Sequence, residues 1–324
     1  MTVPALLSTP RPTVAASPVA EAYARLAEVF PGLRVRELAD GESAPRGGGW
    51  VGADELAGGG EALDAFLAWD DAQVVRDYGQ RARPDVVASF ALHRYAWPAC
   101  LLVTVPWFLH RRVPRLPVAD VAFQRALGRM TVRVREFACL PGDPAATLPG
   151  ARVVPDEEAL RAEVRAAVAE HLAPVLEGFG PRMRRGKRAL WGMVTDEIVE
   201  GLWYVGHLLG EEPRAMAELD LLLPGASTGK AMGTSRGTGT GTGATAGSGS
   251  GPDARAEAAA RAAALKPYVG SAGFRELTGP NGETLPTRDR ASCCLFYTLR
   301  PEDTCVTCPR TCDADRVRKL SASA

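Results

Sequence analysis

The sequence lacks the features that mark secreted and membrane-spanning proteins. It has no run of about 18 uninterrupted apolar residues, the length that a helix needs to cross a bilayer. The nearest approach, residues 96–109, contains Pro98 and Pro106 and ends in a basic run. The first residues have neither the charged region nor the long apolar core of a secretory signal. We therefore expect a cytoplasmic protein without a membrane span.

An excess of charge of either sign is also absent. The chain has 38 basic and 38 acidic side chains, so its formal net charge is zero. A general electrostatic affinity for nucleic acid is then not expected, and we predict no nucleic-acid partner. Hydrophobic residues make up 46% of the 324 residues, which is ordinary for a soluble globular chain long enough to bury a large core.

Nucleotide-binding loops are missing as well. Gly186-Lys187 and Gly229-Lys230 resemble the end of a phosphate loop, but proline replaces the first glycine of the motif in both cases. A formal dinucleotide fingerprint at 241–246 lies in a Gly/Thr repeat and follows no predicted strand. Only four histidines occur, and none lies beside another at metal-ligand spacing. Any redox or energy-requiring chemistry would need a second molecule as its source of electrons or energy.

Helical periodicity is the dominant pattern that is present. It predicts helices over 61–78, from Pro84 onward, from 156 onward and over 187–209, and prolines 98 and 174 are expected to bend or end their helices. Residues 131–135 alternate polar and apolar side chains, which indicates a strand within a small antiparallel sheet between about 120 and 154. The predicted fold class is α+β and mainly helical, with a small antiparallel sheet.

Composition divides the chain into four predicted regions. Residues 1–16 read as a disordered tail, and residues 17–224 as an α+β substrate domain. Residues 225–252 are almost entirely Gly, Thr, Ser and Ala, a composition that cannot bury a core and is typical of a disordered linker. Residues 253–324 form a helix followed by a C-terminal cysteine module.

The most specific pattern is the spacing of the cysteines near the C-terminus. Cys293-Cys294 is followed by ten residues, then by Cys305-x-x-Cys308 and finally by Cys312. In a reducing compartment such a cluster indicates metal binding or redox chemistry rather than disulfides. Four thiolates can hold either a [2Fe–2S] cluster or one tetrahedral zinc. Because neighbouring side chains on an extended chain point to opposite sides, the doublet can converge only in a turn.

These residues carry a resemblance to a known family. The doublet, the ten-residue spacer and the Cys-x-x-Cys, with Ser292 before the doublet and aromatic residues after it, resemble the signature of the FhuF-like siderophore-iron reductases. The resemblance implies a C-terminal [2Fe–2S] cluster bound by four ligands, Cys293, Cys294, Cys305 and Cys308. Cys312 is a fifth cysteine outside the signature, and residues 300–304 depart from the family's glycine-bearing stretch.

The resemblance also implies a function. It predicts a cytoplasmic ferric-siderophore reductase that transfers one electron to Fe(III) and releases Fe(II), with no catalytic residue assigned beyond the cluster. Its expected partners are a ferric siderophore and an external electron donor such as a ferredoxin or a flavin reductase. The alternative is a zinc-stabilised interaction module without redox activity.

One upstream segment has a candidate role in binding. Residues 182–188 contain five basic side chains immediately before a predicted helix. Such a segment either binds an anionic ligand or an acidic donor, or is a solvated loop between helices. The predicted substrate-binding residues are Arg184, Arg185, Lys187 and Arg188.

Overall fold

A computed structural model describes residues 17–224 and 266–323 of the chain. The predicted tail 1–16, the linker 225–252 and the helix over 253–265 lie outside these residues. Within the described part the α-helices are α1 Ala20–Val29, α2 Ala53–Gly58, α3 Glu61–Tyr78, α4 Pro84–His110, α5 Glu157–Phe179, α6 Lys187–Leu208, α7 Glu212–Leu222 and α8 Asp313–Ser323.

Short strands form three small sheets in the described residues. A four-stranded sheet has the order β1-β5-β4-β2, a three-stranded sheet the order β3-β6-β7, and β8 pairs with β9. The strands are β1 Arg34–Glu37, β2 Trp50–Gly52, β3 Arg112–Pro114, β4 Val121–Gln124, β5 Arg129–Val132, β6 Phe137–Cys139, β7 Ala151–Val153, β8 Phe274–Thr278 and β9 Thr284–Arg288.

The predicted mainly helical α+β class is confirmed, and the sheets add one feature to it. Most neighbouring strands are antiparallel, but β1 pairs with β5 and β6 pairs with β7 in parallel. Parallel neighbours require a crossover between the strands. Helices α2, α3 and α4 lie in the crossover from β1 to β5, so the pairing joins segments that are distant in sequence.

Two helices continue through prolines, Pro98 in α4 and Pro174 in α5, at which the sequence predicted a bend or an end. Helix α4 runs through Pro98 and Pro106 to His110, and α5 runs through Pro174 to Phe179. An internal proline costs about 3 kcal/mol in an exposed helix. Side chains of α4 such as Leu101, Trp107 and Phe108 are fully buried, and burial of this kind contributes about 1.5–3 kcal/mol for each large side chain. Tertiary packing therefore outweighs the local preference.

Helix α4 is also long and apolar enough, by length and composition alone, to cross a membrane. Its most apolar window is 83% buried inside the protein. A helix that is hydrophobic on all sides is either a membrane span or a central core helix. The burial is that of a central core helix.

Helix α6 packs along α4, and the C-terminal segment crosses both helices. Tyr268 and Ala272 join the main hydrophobic core. Further along, Leu299 packs against Val86 and Phe90 of α4 in a separate cluster. The cysteine doublet between these anchors is held against α4 and α6, which fixes its position relative to the upstream fold.

Candidate metal centre

The cysteine doublet lies in a turn that follows β9. Residues 289–294 have no regular secondary structure. Leu295 then adopts the left-handed region with φ 70° and ψ 8°, a conformation that is unusual for a large side chain. Its backbone N–H lies 3.4 Å from Cys293 Sγ. The turn breaks the alternation of an extended chain, so both thiols of the doublet face the Cys305-x-x-Cys308 segment.

The four cysteines form two facing pairs. The Cys305 thiol donates a hydrogen bond to Cys294, and the Cys293 thiol donates one to Cys308. Each pair thus takes one sulfur from the doublet and one from the Cys-x-x-Cys turn, which is closed by a 3.1 Å bond from Cys308 N to the Cys305 carbonyl. Two pairs of thiols match the ligand set of a [2Fe–2S] cluster, in which each iron takes two protein sulfurs.

A single-ion site is not formed by the side chains that the structure describes. Within residues 17–224 and 266–323, no group of three or more His, Cys, Asp or Glu side chains is arranged to hold one metal ion. Soft thiolates are the ligands that iron–sulfur clusters take from proteins, and the four cysteines fit that group.

Charges and donors around the sulfurs favour the thiolate form of Cys294. The bond from Cys305 is the main cause that lowers the pKa of Cys294 to about 5, and the Phe296 N–H, Arg290 and His93 act in the same direction. The same bond, together with burial, raises the pKa of Cys305. The thiolate is the form that ligates metal.

Cys312 lies apart from the pairs. Its side chain is exposed, whereas Cys308 is buried and the other three are half-buried. The Cys312 thiol hydrogen-bonds to the Asp315 carboxylate at the start of α8 and lowers its pKa. The fifth cysteine therefore faces solvent.

A buried carboxylate on α6 anchors the doublet. Asp196 is fully buried and accepts hydrogen bonds from the backbone N–H groups of Ala291 and Ser292 at 2.9 and 2.8 Å. Arg288, also fully buried, donates to the same carboxylate at 2.5 Å. Burial raises the pKa of Asp196, and Arg288, Arg290 and the two N–H groups oppose that shift. One side chain thus holds the residues that lead directly into Cys293.

A second buried carboxylate connects the doublet to α4. Glu197 accepts a 2.6 Å bond from His93 Nδ1, and Arg290 approaches it to 3.9 Å. Glu197 raises the pKa of His93. One turn earlier on α4, Ser89 donates to the Cys294 carbonyl at 3.1 Å. Both Arg290 and His93 lie within electrostatic reach of Cys294, so positive charge is held beside this thiol.

Helix α8 closes the other side of the centre. The Arg316 side chain is buried and donates to the Cys308 carbonyl at 3.1 Å and to Asp289 at 2.6 Å. Lys319 donates to the carbonyl of Thr304, the residue before Cys305. The Cys-x-x-Cys turn is therefore bound to α8 at two of its backbone carbonyls.

None of the anchoring residues was predicted from the sequence. The signal that marks them is the acidic pair Asp196-Glu197 in the middle of an apolar helix. Charged residues are rarely fully buried unless they are paired. Their partners, Arg288 and His93, are about a hundred positions away in opposite directions, and no local pattern connects them.

The fold places the four predicted basic residues in different environments. Arg185 is half-buried and donates to Ser292 Oγ at 3.2 Å, so it reaches the residue before the doublet. Lys187 joins Arg185 in lining one cavity, and Arg184 lines a different one. Arg188 is exposed and lines neither.

Fold and centre together define a mainly helical α+β protein with a C-terminal four-cysteine metal centre. Residues 290–310 match the family profile of the FhuF 2Fe-2S C-terminal domain. The matched segment contains all four paired cysteines and ends before Cys312. No curated protein matches the chain. The predicted FhuF-like motif and its [2Fe–2S] cofactor are thereby confirmed.

Proposed function

We propose that the protein is a ferric-siderophore reductase whose [2Fe–2S] ligands are Cys293, Cys294, Cys305 and Cys308. The observation that supports this most directly is the pairing of the four thiols within the segment that matches a [2Fe–2S] domain. Cys312 is not a ligand in this proposal, since its thiol is exposed and bonded to Asp315.

The chemistry needs a single electron. When bound, a [2Fe–2S] cluster supplies one electron at a time. Siderophores bind Fe(III) through hard oxygen atoms, and the metal becomes a softer, less charged ion when it gains one electron. The chelator's bonds to Fe(II) are then weaker, and iron leaves without cleavage of the ligand. The step is balanced by one electron from the reduced protein for each Fe(III).

The residues around the centre have separable roles in this reaction. Asp196 and Arg288 hold the backbone of residues 291 and 292. Backbone N–H groups approach the sulfurs of Cys293 and Cys308 at 3.4 and 3.5 Å. Such donors, and the positive charge of Arg290, stabilise negative charge on sulfur and so influence the reduction potential.

The reducing equivalents come from a partner in this proposal. The sequence carries no recognisable nucleotide-binding loop, so we assign electron supply to a reduced ferredoxin or a flavin reductase in the cytoplasm. The α+β part, residues 17–224, supplies the substrate pocket, and the C-terminal module supplies the electron.

The direct experiment is spectroscopic. Purified protein is expected to be red-brown, with two iron and two sulfide per chain, and to bleach on reduction. Anaerobic addition of a ferric siderophore should restore the oxidised spectrum, with Fe(II) appearing in a ferrozine assay. A colourless protein with one zinc per chain would instead establish the zinc-stabilised interaction module. A red protein that no ferric chelate re-oxidises would rule out the reductase.

Ligand assignment has a matched internal control. Serine at Cys293, Cys294, Cys305 or Cys308 is expected to abolish or strongly reduce the cluster, because the loss of one thiolate leaves an iron incompletely ligated. Cys312→Ser is the control, and we expect full iron content and an unchanged visible spectrum. Iron and sulfide per chain are the measurement. Full occupancy after loss of any of the four would contradict the assignment.

A further inference from the structure

A cavity borders the metal centre between the C-terminal end of α5 and the start of α6. Its volume is about 450 Å³, within the range of small-molecule sites. Its apolar side is formed by Ala173, Leu176, Leu190 and the half-buried Trp191. The Trp191 indole meets Tyr268 edge to face at 5.5 Å between ring centres, which fixes the ring in place. The cavity therefore offers a rigid aromatic surface to a ligand.

The polar side of the cavity is mainly positive. Arg185 and Lys187 both line it, and neither forms an ion pair among the residues that the structure describes. Arg182 differs, because its charge is already paired with Asp64 at 2.7 Å. The first turn of α6 contains no acidic residue and its N-cap, Gly186, has no side chain to satisfy the free N–H groups. Among the residues that the structure describes, Glu177 is the one carboxylate that lines the cavity.

The cavity is linked to the doublet by direct contacts. Arg185 lines the cavity and also donates to Ser292 Oγ at 3.2 Å. Gly192 follows Trp191 on α6, and a Cβ atom added there would meet the Ala291 carbonyl and Ser292 Cβ at 3.4 Å each. Arg185 thus connects the lining of the cavity to the residue before Cys293.

We propose that this cavity binds the ferric chelate and selects chelates of net negative charge built from aromatic catecholates. The inference rests on the proposed reductase function and specifies its substrate class. Each catecholate contributes two negative charges and each hydroxamate one, so three catecholates give Fe(III) an anionic complex and three hydroxamates a neutral one. Arg185 and Lys187 attract the anion, and Trp191 packs against a catechol ring.

The test uses Ga(III) complexes, which have the charge and shape of the Fe(III) chelates but accept no electron from the protein. Isothermal titration calorimetry on the cluster-containing protein would compare Ga(III) tris-catecholate with Ga(III) tris-hydroxamate. We expect at least about tenfold tighter binding of the catecholate complex, weakening as salt is raised because screening acts on the charge attraction. Equal affinities for the two complexes would overturn the proposal.

Three variants make the test specific. Lys187→Glu is expected to weaken catecholate binding by about tenfold or more and to leave hydroxamate binding unchanged. Glu177→Gln removes the opposing charge and should tighten catecholate binding, a gain that misfolding cannot produce. Arg76→Glu changes net charge equally at an exposed position of α3 and should have little effect. An unchanged affinity for the catecholate complex in both Lys187→Glu and Glu177→Gln would also overturn the proposal.

The outcomes separate this inference from the proposed function. Reduced protein that is re-oxidised equally fast by anionic and neutral ferric chelates would keep the reductase and reject the cavity's selectivity. Tight, charge-dependent binding of the Ga(III) catecholate without any re-oxidation by the Fe(III) complex would keep the binding site and reject the reductase.

Discussion

At the scale of single residues, Asp196 connects the scaffold to the metal centre. Its carboxylate satisfies two backbone N–H groups and one buried guanidinium. Removing one partner of a buried ion pair costs about 3–5 kcal/mol, because the remaining charge is left uncompensated in a low dielectric. The same substitution on the surface costs much less.

Asp196→Asn is therefore expected to lower the free energy of unfolding by about 3–5 kcal/mol and to reduce iron content. The amide cannot accept all three bonds, and its NH₂ group faces another donor. Urea unfolding followed by circular dichroism gives the first quantity, and iron per chain the second. Asp220→Asn, at an exposed carboxylate of α7, is the matched control. A loss below about 1 kcal/mol at position 196 would contradict the anchoring role.

His171 is a second residue with a predicted effect on stability, and this effect depends on pH. Its Nδ1–H donates to the Leu116 carbonyl at 2.7 Å, so Nε2 accepts from the Tyr95 hydroxyl at 2.8 Å. Burial lowers the pKa of His171 from 6.5 to about 4. The folded state therefore prefers the neutral ring, and its contribution to stability is complete above pH 6.5 and is lost as pH falls towards 4.

Between pH 6.5 and 5, this histidine should remove about 2 kcal/mol from the free energy of unfolding. His171→Gln keeps one donor and one acceptor but does not titrate. The measurement is the difference between wild-type and variant urea-unfolding free energies at the two pH values, which cancels the contributions of other groups. A wild-type slope identical to that of the variant would show that His171 does not titrate in this way.

At the scale of secondary-structure elements, close contacts between backbones set the positions of the helices. Gly178 on α5 faces α2, and a Cβ atom there would lie 2.3 Å from the Leu56 carbonyl oxygen. Gly180 is two residues later and also has right-handed helical dihedrals, but no atom in the described part of the chain lies within 4 Å of such a Cβ. The two glycines thus have the same backbone conformation and differ only in the room available for a Cβ atom.

Gly178→Ala is expected to destabilise the protein by about 1–3 kcal/mol, because α2 must move away from α5. Gly180→Ala should be neutral or stabilising by up to about 1 kcal/mol, since alanine has less conformational freedom in the unfolded chain. Thermal and urea unfolding of both variants gives the comparison. Equal effects of the two substitutions would refute the close-approach explanation.

The secondary-structure elements also show which features could be predicted from the sequence. Helix α3 and the start of α4 were predicted at their observed positions, because apolar periodicity and Pro84 are local signals. The strand predicted at 131–135 lies at Arg129–Val132, where β5 pairs with β1 in parallel and with β4 in antiparallel orientation. Spacing and resemblance singled out Cys293, Cys294, Cys305 and Cys308 as ligands but did not predict which thiol faces which. Asp196 and Arg288 were missed because their pairing depends on how the C-terminal segment crosses α6.

At the scale of the whole molecule, the metal centre and the main core are supported by different interactions. Helix α4 is held mainly by apolar packing, whereas residues 289–308 are held by ion pairs, backbone hydrogen bonds and a small apolar cluster around Leu299. Metal binding contributes to the folding of the segment it closes. Loss of the cluster should therefore affect the two regions unequally.

Removal of iron with a chelator under reducing conditions is expected to raise hydrogen exchange across residues 290–312 and to leave α4 protected. Hydrogen–deuterium exchange with mass spectrometry measures both regions in one sample. Reconstitution with iron and sulfide should restore protection of the cysteine segment. Parallel loss of protection in α4 would show that the core depends on the centre.

The contact between Arg316 and the Cys308 carbonyl means that the two halves of the centre are held by different helices. Asp196 of α6 binds the backbone that leads into the doublet, and Arg316 of α8 binds the Cys-x-x-Cys turn. The doublet can therefore be in place while the Cys-x-x-Cys turn still lacks its contact with α8. Packing of α8 is the step that closes the four thiols around a cofactor.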